Sequence, residues 1–432
     1  MRTFLRRAGL ALAALIAVLL VPGVSAAVSV TSAFGSHYAP GPARAVPAAA
    51  PKPHDPAKPT AVVVVGNLGA AASDVLAPYE ILAATGRYNV YTAAPKREPV
   101  PLTGGLDLIP DVTLDDPVAR TPDLIIVPAV PDVSQPTTAP ITDWLRVQSA
   151  RGAQMVSICN GAGLLASAGL LDGRPATAHW LRLGTFESRY PNVKWVHNER
   201  YVDDGTVIST AGILSGIDGT LHMVERQFGA ATADAAAAAI GWRHFRNSPP
   251  VSTGLGFPDS VAIFNGGYRW NPASVGVLLT DGVGETELAS VFDGHSHALS
   301  TRTIALSTNG NAVRSKHGMV FLPRADHASA ASGLDRLIVP GSARGVVAAG
   351  GPAPVYVHDG TGFPFDGALR DLARTTDIAT ARWTAKTLEL PMAGLVLEGS
   401  AWPWVPTLLP FALILLGVGV LVGVRRLRRA AP

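Results

Sequence analysis

Two apolar blocks bracket this chain, and between them the spacing of hydrophobic positions changes again and again. TAVVVVGN, beginning at Thr60, is a short β-branched run without polar interruption, the pattern of a strand buried on both faces of a parallel sheet. DVLAPYEILAAT then spaces its apolar residues as a helix does, and YNVYTAA returns to a strand. DLIIVPA and AQMVSI predict two more buried strands, with TDWLRVQSA as a helix between them. Strands alternating with helices predict a parallel sheet covered by helices on both faces.

The pattern then repeats. SVGVLLTDGVGETELASVFD, near residue 275, runs parallel to the first strand and helix, so that Asp74 and Glu80 fall opposite Glu287 and Asp293 at one constant offset. DLIIVP, from Asp123, falls opposite DRLIVP, from Asp335, within one residue of that offset. FDGALRDLART resembles the helix before the single cysteine of the first copy, and the following DIATARWTAKTLELP has no cysteine, serine or glycine-rich turn at the matching place. The expectation is two tandem α/β domains, residues 61–250 and a degenerate copy at 274–392 without a reactive turn, joined by a linker at 251–273. Residues 27–60, rich in proline and alanine, read as an extended tether.

The two apolar blocks place the body. MRTFLRRAGL followed by ALAALIAVLLVPG predicts that residues 1–26 are a signal peptide, with Val24, Ser25 and Ala26 at the cleavage site, or else an N-terminal anchor. Residues 402–424 predict a transmembrane helix, uncharged from Val405 to Val424 and flanked by Trp402 and Trp404. The arginines of the tail, residues 425–432, stay in the cytoplasm, so the expectation is a single-pass plasma-membrane protein with its body outside. A formal net charge of +3, largely from the ends, leaves no basic face for nucleic acid. One cysteine excludes an internal disulfide. His295 and His297 lack partners at ligand spacing, so no metal is expected, and without a P-loop or dinucleotide fingerprint no cofactor is expected either.

The chemistry concentrates in SICNGAGLLASAGLLDGRPATAHW, from Ser157, where a buried strand delivers Cys159 and Asn160, Gly161, Ala162 and Gly163 turn straight into a helix. Small residues there suit a sharp, strained turn that projects the thiol at the carboxyl edge of the sheet. A helix N-terminus beside sulfur favours the thiolate, and the turn amides, Asn160 among them, suit a developing oxyanion. This stretch resembles the cysteine elbow of the DJ-1/PfpI superfamily (class I glutamine amidotransferase-like), in the branch of isonitrile hydratases and the ligand domains of AraC-type regulators. YVDDGTVISTAGILSGIDGTLHMVERQFG, from Tyr201, is similar to that branch's closing strand and helix.

The resemblance implies a flavodoxin-like three-layer fold in each copy, with Cys159 as nucleophile, Asp74 as the acidic residue beside it, His179 near the sulfur and Asp218 capping the last helix. A carboxyl beside a thiolate is expected to stay protonated or to shuttle a proton. Asn160, Gly161 and Ala129 line the expected oxyanion pocket. Asn160 stands where hydratases usually show threonine, and Ala129 and Val130 where relatives often have glycine, a place at which the second copy keeps Gly341. Three functions remain open: a cysteine-dependent hydrolase or hydratase for a small isonitrile, aldehyde or amide; a small-molecule or redox sensor; and a structural ectodomain. The partners expected are a small molecule and the membrane, with a homodimer or an intramolecular pair of the two copies.

Overall fold

The computed structural model describes residues 2–48, 52–251, 253–344, 350–358, 360 and 362–430. Residues 49–51 of the proline-rich segment, residue 252 of the linker and residues 431–432 of the tail lie outside them. The chain opens with helix α1 (Arg2–His37). The first sheet region runs β1 (Thr60–Val64), α2 (Ala72–Ala84), β2 (Asn89–Ala94), the hairpin β3 (Val100–Leu102) and β4 (Leu106–Ile109), β5 (Val112–Thr113), β6 (Leu124–Val127), α3 (Ala139–Ala150), β7 (Gln154–Ser157) and α4 (Gly161–Ser167). It closes with β8 (Pro175–Ala176), α5 (Trp180–Arg189), β9 (Lys194–Trp195), β10 (Tyr201–Asp203), β11 (Val207–Thr210), α6 (Ser215–Phe228) and α7 (Ala230–Ala239).

Helix α8 (Val261–Tyr268) leads into the second region, β12 (Ala273–Leu278), α9 (Glu285–Ala298), β13 (Thr301–Ser307), β14 (Val313–Arg314), β15 (Val320–Leu322), β16 (Ala325–Asp326) and α10 (His327–Ala330). Then follow β17 (Arg336–Val339), β18 (Pro354–Tyr356), α11 (Pro364–Thr375), α12 (Ile378–Leu388) and α13 (Trp404–Ala430). The first sheet has the order β10-β11-β7-β6-β1-β2-β5, parallel except for β10 on β11. The second, β16-β13-β12-β17-β18, is parallel throughout. The chain is thus an α/β protein with parallel sheets, as the alternating periods predict.

Apolar side chains fill both faces of the first sheet. One face joins α2, α6, α9 and α12 in a core shared with the second sheet, and the other packs α3, α4 and α5. The outer face of the second sheet carries only a small cluster around Leu278, Leu306, Leu337 and Val339 among the described residues. It is therefore thinner than the three-layer arrangement expected for it.

The two regions interlock. Strand β15 pairs antiparallel with β4, so the hairpins β3–β4 and β14–β15 make one four-stranded sheet. Helices α2 and α9 pack together and bond reciprocally, the Ser73 amide donating to Asp293 (2.7 Å) and the Thr286 amide to Glu80 (2.7 Å). Both pairs obey the same offset, since 286 − 73 and 293 − 80 are each 213. The proline-rich segment, expected as a tether, is fastened along this junction. Arg324 donates to the Ala39 carbonyl (2.7 Å), Arg44 to the Gly310 carbonyl (3.0 Å) and Lys52 to Asp111 (2.6 Å).

The match between FDGALRDLART and the helix before the cysteine does not hold. Helix α11 follows β18, and β18 pairs on β17 as β7 pairs on β6, Tyr356 opposite Val339 and Ser157 opposite Val127. His358 therefore occupies the position two residues beyond the strand that Cys159 holds in the first sheet, and residues 378–388 form helix α12 instead. Helix α11 thus corresponds in order to α4, which follows the cysteine, and not to α3 before it.

Two helices, Ala14–His37 and Trp404–Gly423, are long and apolar enough to cross a membrane.

Candidate functional site

Buried β7 ends at Ser157, and two residues later the backbone turns over into α4 with Cys159 in the left-handed region at φ 57°. For a residue with a Cβ this conformation costs on the order of 1–3 kcal/mol and persists only where the surroundings impose it. They do so here. The Ile158 amide donates to the Val127 carbonyl (2.9 Å), the Gly161 amide donates to the Ile158 carbonyl (2.8 Å), and a Cβ on Gly161 would lie 2.0 Å from the Val127 carbonyl oxygen. The Asn160 amide faces the sulfur, which is partly buried against the shared core.

Asp74, in the first turn of α2, is fully buried. One carboxyl oxygen accepts from the Ala129 amide (2.9 Å), and the other has no hydrogen-bond partner. Burial pushes this carboxyl well above the usual carboxylate range, in the direction of the protonated form. The Cys159 thiol differs from expectation. Burial, and then the Asp74 carboxyl, push it well up, outweighing the Asn160 amide that works in the other direction. A helix of only seven residues (Gly161–Ser167) does not compensate for desolvation.

The other expected pocket groups are engaged elsewhere. The Ala129 amide already serves Asp74, and the Asn160 side chain is clamped to Val130, accepting from its amide (2.9 Å) and donating to its carbonyl (3.1 Å). His179 caps α5. Its Nδ1 accepts from the Leu181 amide (3.3 Å) and its Nε2 donates to the Thr387 carbonyl (2.9 Å), so both ring nitrogens hold backbone rather than sulfur. Burial lowers its pKa to about 4, leaving it neutral. Asp218, expected as a cap, instead binds Arg200 (2.5 Å), the Trp242 indole (2.8 Å) and Ser248 (3.0 Å).

Two groups absent from the sequence reading stand in the electrostatic field of Cys159 and Asp74. Glu389, just past α12, is held at φ 58°, takes the Ser215 hydroxyl (2.5 Å), and has one buried carboxyl oxygen with no partner. Burial raises it to about 7. A Cβ on Gly212 would lie 2.3 Å from the Glu389 carboxyl carbon, which is why AGILSG needs glycine there. Tyr38, one residue past α1, lies on Gly69, where a Cβ would come within 2.6 Å of its ring. Burial, then Asp293, Asp74 and Cys159, push its phenol well up. Neither residue had a local signal, because each arrives from a distant part of the chain.

Glu80, Glu285 and His317 place ligand-type atoms within 4.8 Å of one another. Their bonds point inward: Glu285 takes Ser315 (2.6 Å) and His317 (2.8 Å), and Glu80 caps α9.

Sheet and turn together define an α/β protein with a cysteine elbow. Residues 60–226 match the model of the DJ-1/PfpI family. The isonitrile hydratase of Pseudomonas putida is 30% identical over 191 residues, 44% of this chain and 78% of that protein. The chain belongs to the DJ-1/PfpI family. The HTH-type transcriptional regulator CdhR of Pseudomonas aeruginosa is 33% identical over 131 residues, 30% of this chain but only 38% of the regulator. Among solved structures, DJ-1beta of Drosophila melanogaster aligns with a TM-score of 0.38 at 20% identity, covering 42% of this chain and 97% of that one.

Proposed function

We propose that this chain is a membrane-anchored protein whose Cys159 adds to a small electrophilic carbon, as in an isonitrile, aldehyde or amide, with its body outside the cytoplasm. The strained elbow carries the reading: a costly backbone conformation that holds a thiol beside a buried carboxyl and under a backbone amide suits an addition site. With an isonitrile, the S–C bond forms and the thiol proton, relayed through Asp74, ends on the same carbon to give a thioimidate. Water then adds to that carbon, the C–S bond breaks, one proton of the water returns to sulfur and the other to nitrogen, and an N-substituted formamide leaves. The 30% identity to an isonitrile hydratase supports that substrate first. Purified full-length chain is incubated with isonitriles, glyoxals and amides beside Cys159→Ala. Turnover that disappears in the variant is the expected result, and none with any class refutes the reading.

A binding or redox-sensing role is the second reading. It is favoured by the engagement of Ala129 and His179 in internal bonds and by the thiol's raised pKa, both of which reduce catalytic equipment at the site. Selective, reversible oxidation of Cys159 by mild peroxide, followed by mass spectrometry, distinguishes it.

The second sheet is read as a degenerate copy that replaces a dimer partner within one chain. The reciprocal bonds at one offset and the paired hairpins support this. Orientation follows from the arginines at both chain ends, which keep α1's start and α13's end in the cytoplasm.

A further inference from the structure

Large apolar side chains stand in solvent along one short stretch: Leu255 is 68% exposed, Phe257 82%, Ile263 66% and Trp270 49%. They surround α8, and α8 is wedged between the two long apolar helices. Against α1, Ser29 donates to the Gly266 carbonyl (2.8 Å), the Tyr268 hydroxyl reaches the Pro22 carbonyl (3.3 Å), and a Cβ on Gly267 would lie 3.1 Å from Ala26. On the α13 side, the Phe257 ring stacks on Trp402 at 6.0 Å and Phe264 meets the same indole edge-on at 6.4 Å.

Depth follows from helix rise. Helices α1 and α13 touch at Val18 and Gly417. At about 1.5 Å per residue, Ala26 stands about 12 Å above that contact and Trp404 about 20 Å above it. Gly267, lying on Ala26, is thus about 8 Å to the membrane side of the level of Trp404, where indoles prefer the headgroups. The charges of the stretch turn away from this side: Asp259 pairs with Lys386 (2.6 Å), and Arg269 binds Asn265 (3.1 Å) with Asp377 at 3.8 Å. Outward apolar groups, inward charges and a position running from the Trp402 indole toward the membrane side are together the profile of an interfacial segment.

We propose that α8 and the preceding residues 255–257 form a third membrane contact, seated in the outer leaflet with Phe257 and Ile263 among lipid chains near the headgroups. This rests on the reading of α1 and α13 as spans. The seat holds the two sheets at a fixed height over the bilayer, and with them Tyr38, which leaves α1 directly for the Cys159 site.

The test uses full-length Cys159→Ala chain in vesicles of phosphatidylcholine and phosphatidylglycerol, with an environment-sensitive fluorophore on single cysteines at Phe257→Cys, Ile263→Cys, Leu415→Cys in α13 and Asp143→Cys on α3. Labels at 257 and 263 are expected to shift to the blue and lose emission to lipids carrying a nitroxide high on the acyl chain, the label at 415 to lipids carrying it deeper, and the label at 143 to neither. If 415 is quenched while 257 and 263 behave as 143, the spans stand and the seat is wrong. A blue shift at 257 and 263 without lipid quenching means that protein, such as a second copy, covers this face, which also overturns the proposal. No quenching at 415 removes the spans and the seat together.

Discussion

At the scale of single residues, burial raises the acids around Cys159, and that sets the response of the site to pH. Glu389 is the informative member. Its carboxyl is raised from the ordinary 4.5 to about 7, so its stabilising contribution is complete below about 4.5 and is lost as pH rises to about 7. Across that window the cost of keeping it protonated grows to about 3 kcal/mol. Glu389→Gln cannot ionise, so its melting temperature relative to the native chain is expected to rise between pH 5 and pH 8; a difference that stays constant with pH refutes this. At the elbow, Gly161→Ala drives a Cβ into the Val127 carbonyl and is expected to destabilise by about 3 kcal/mol or more, measured by denaturant unfolding. Cys159 and Asp74 were legible in the sequence because the turn and the helix start that present them are local. Glu389 was not, since what makes it special is Gly212 and Ser215, more than 170 positions earlier.

Elements decide access to that site. The sequence marks residues 27–60, rich in proline and alanine, as a tether, yet residues 27–37 continue α1. Arg324, Asp111 and the Gly310 carbonyl fasten Ala39, Lys52 and Arg44 along the junction, with Tyr38 packed on Gly69 in the field of the site. A covering that costs about 1.4 kcal/mol to lift slows a reagent roughly tenfold. Tyr38→Ala is therefore expected to speed iodoacetamide labelling of Cys159 by about that factor, while an unchanged rate means that the phenol does not guard the sulfur. Helix α1 is the other undecided element, read either as a signal peptide or as an anchor. Its bonds to α8 through Pro22 and Ser29 fall on both sides of Ala26. The intact mass of membrane-extracted chain is expected to include residues before Ala26, and a mature N-terminus at residue 27 would contradict this.

Over the whole molecule, the two sheets stand or fall together. Asp293 receives the Ser73 amide and the Thr103 hydroxyl across the junction, and removing it leaves two buried donors without partners, at about 1–3 kcal/mol each. Asp293→Ala is expected to lower the melting temperature and to split a single calorimetric transition into two, because the first sheet keeps its own second core and the junction does not. One sharp transition at an unchanged temperature would mean that these bonds do not couple the halves.

What the amino-acid order determined by itself is local: the buried β-branched strands, the helix periods between them, the small-residue turn at Cys159 and the two apolar helices. Those features arise from neighbours within a few positions, where side-chain spacing and backbone sterics act directly. Tertiary structure alone decided that β18 pairs on β17 as β7 pairs on β6, that His358 stands two residues beyond it, and that His179 and the Ala129 amide are held by internal bonds. It also brought Tyr38 and Glu389 to Asp74. Burial and partner choice depend on residues hundreds of positions away, and only packing brings those into one place.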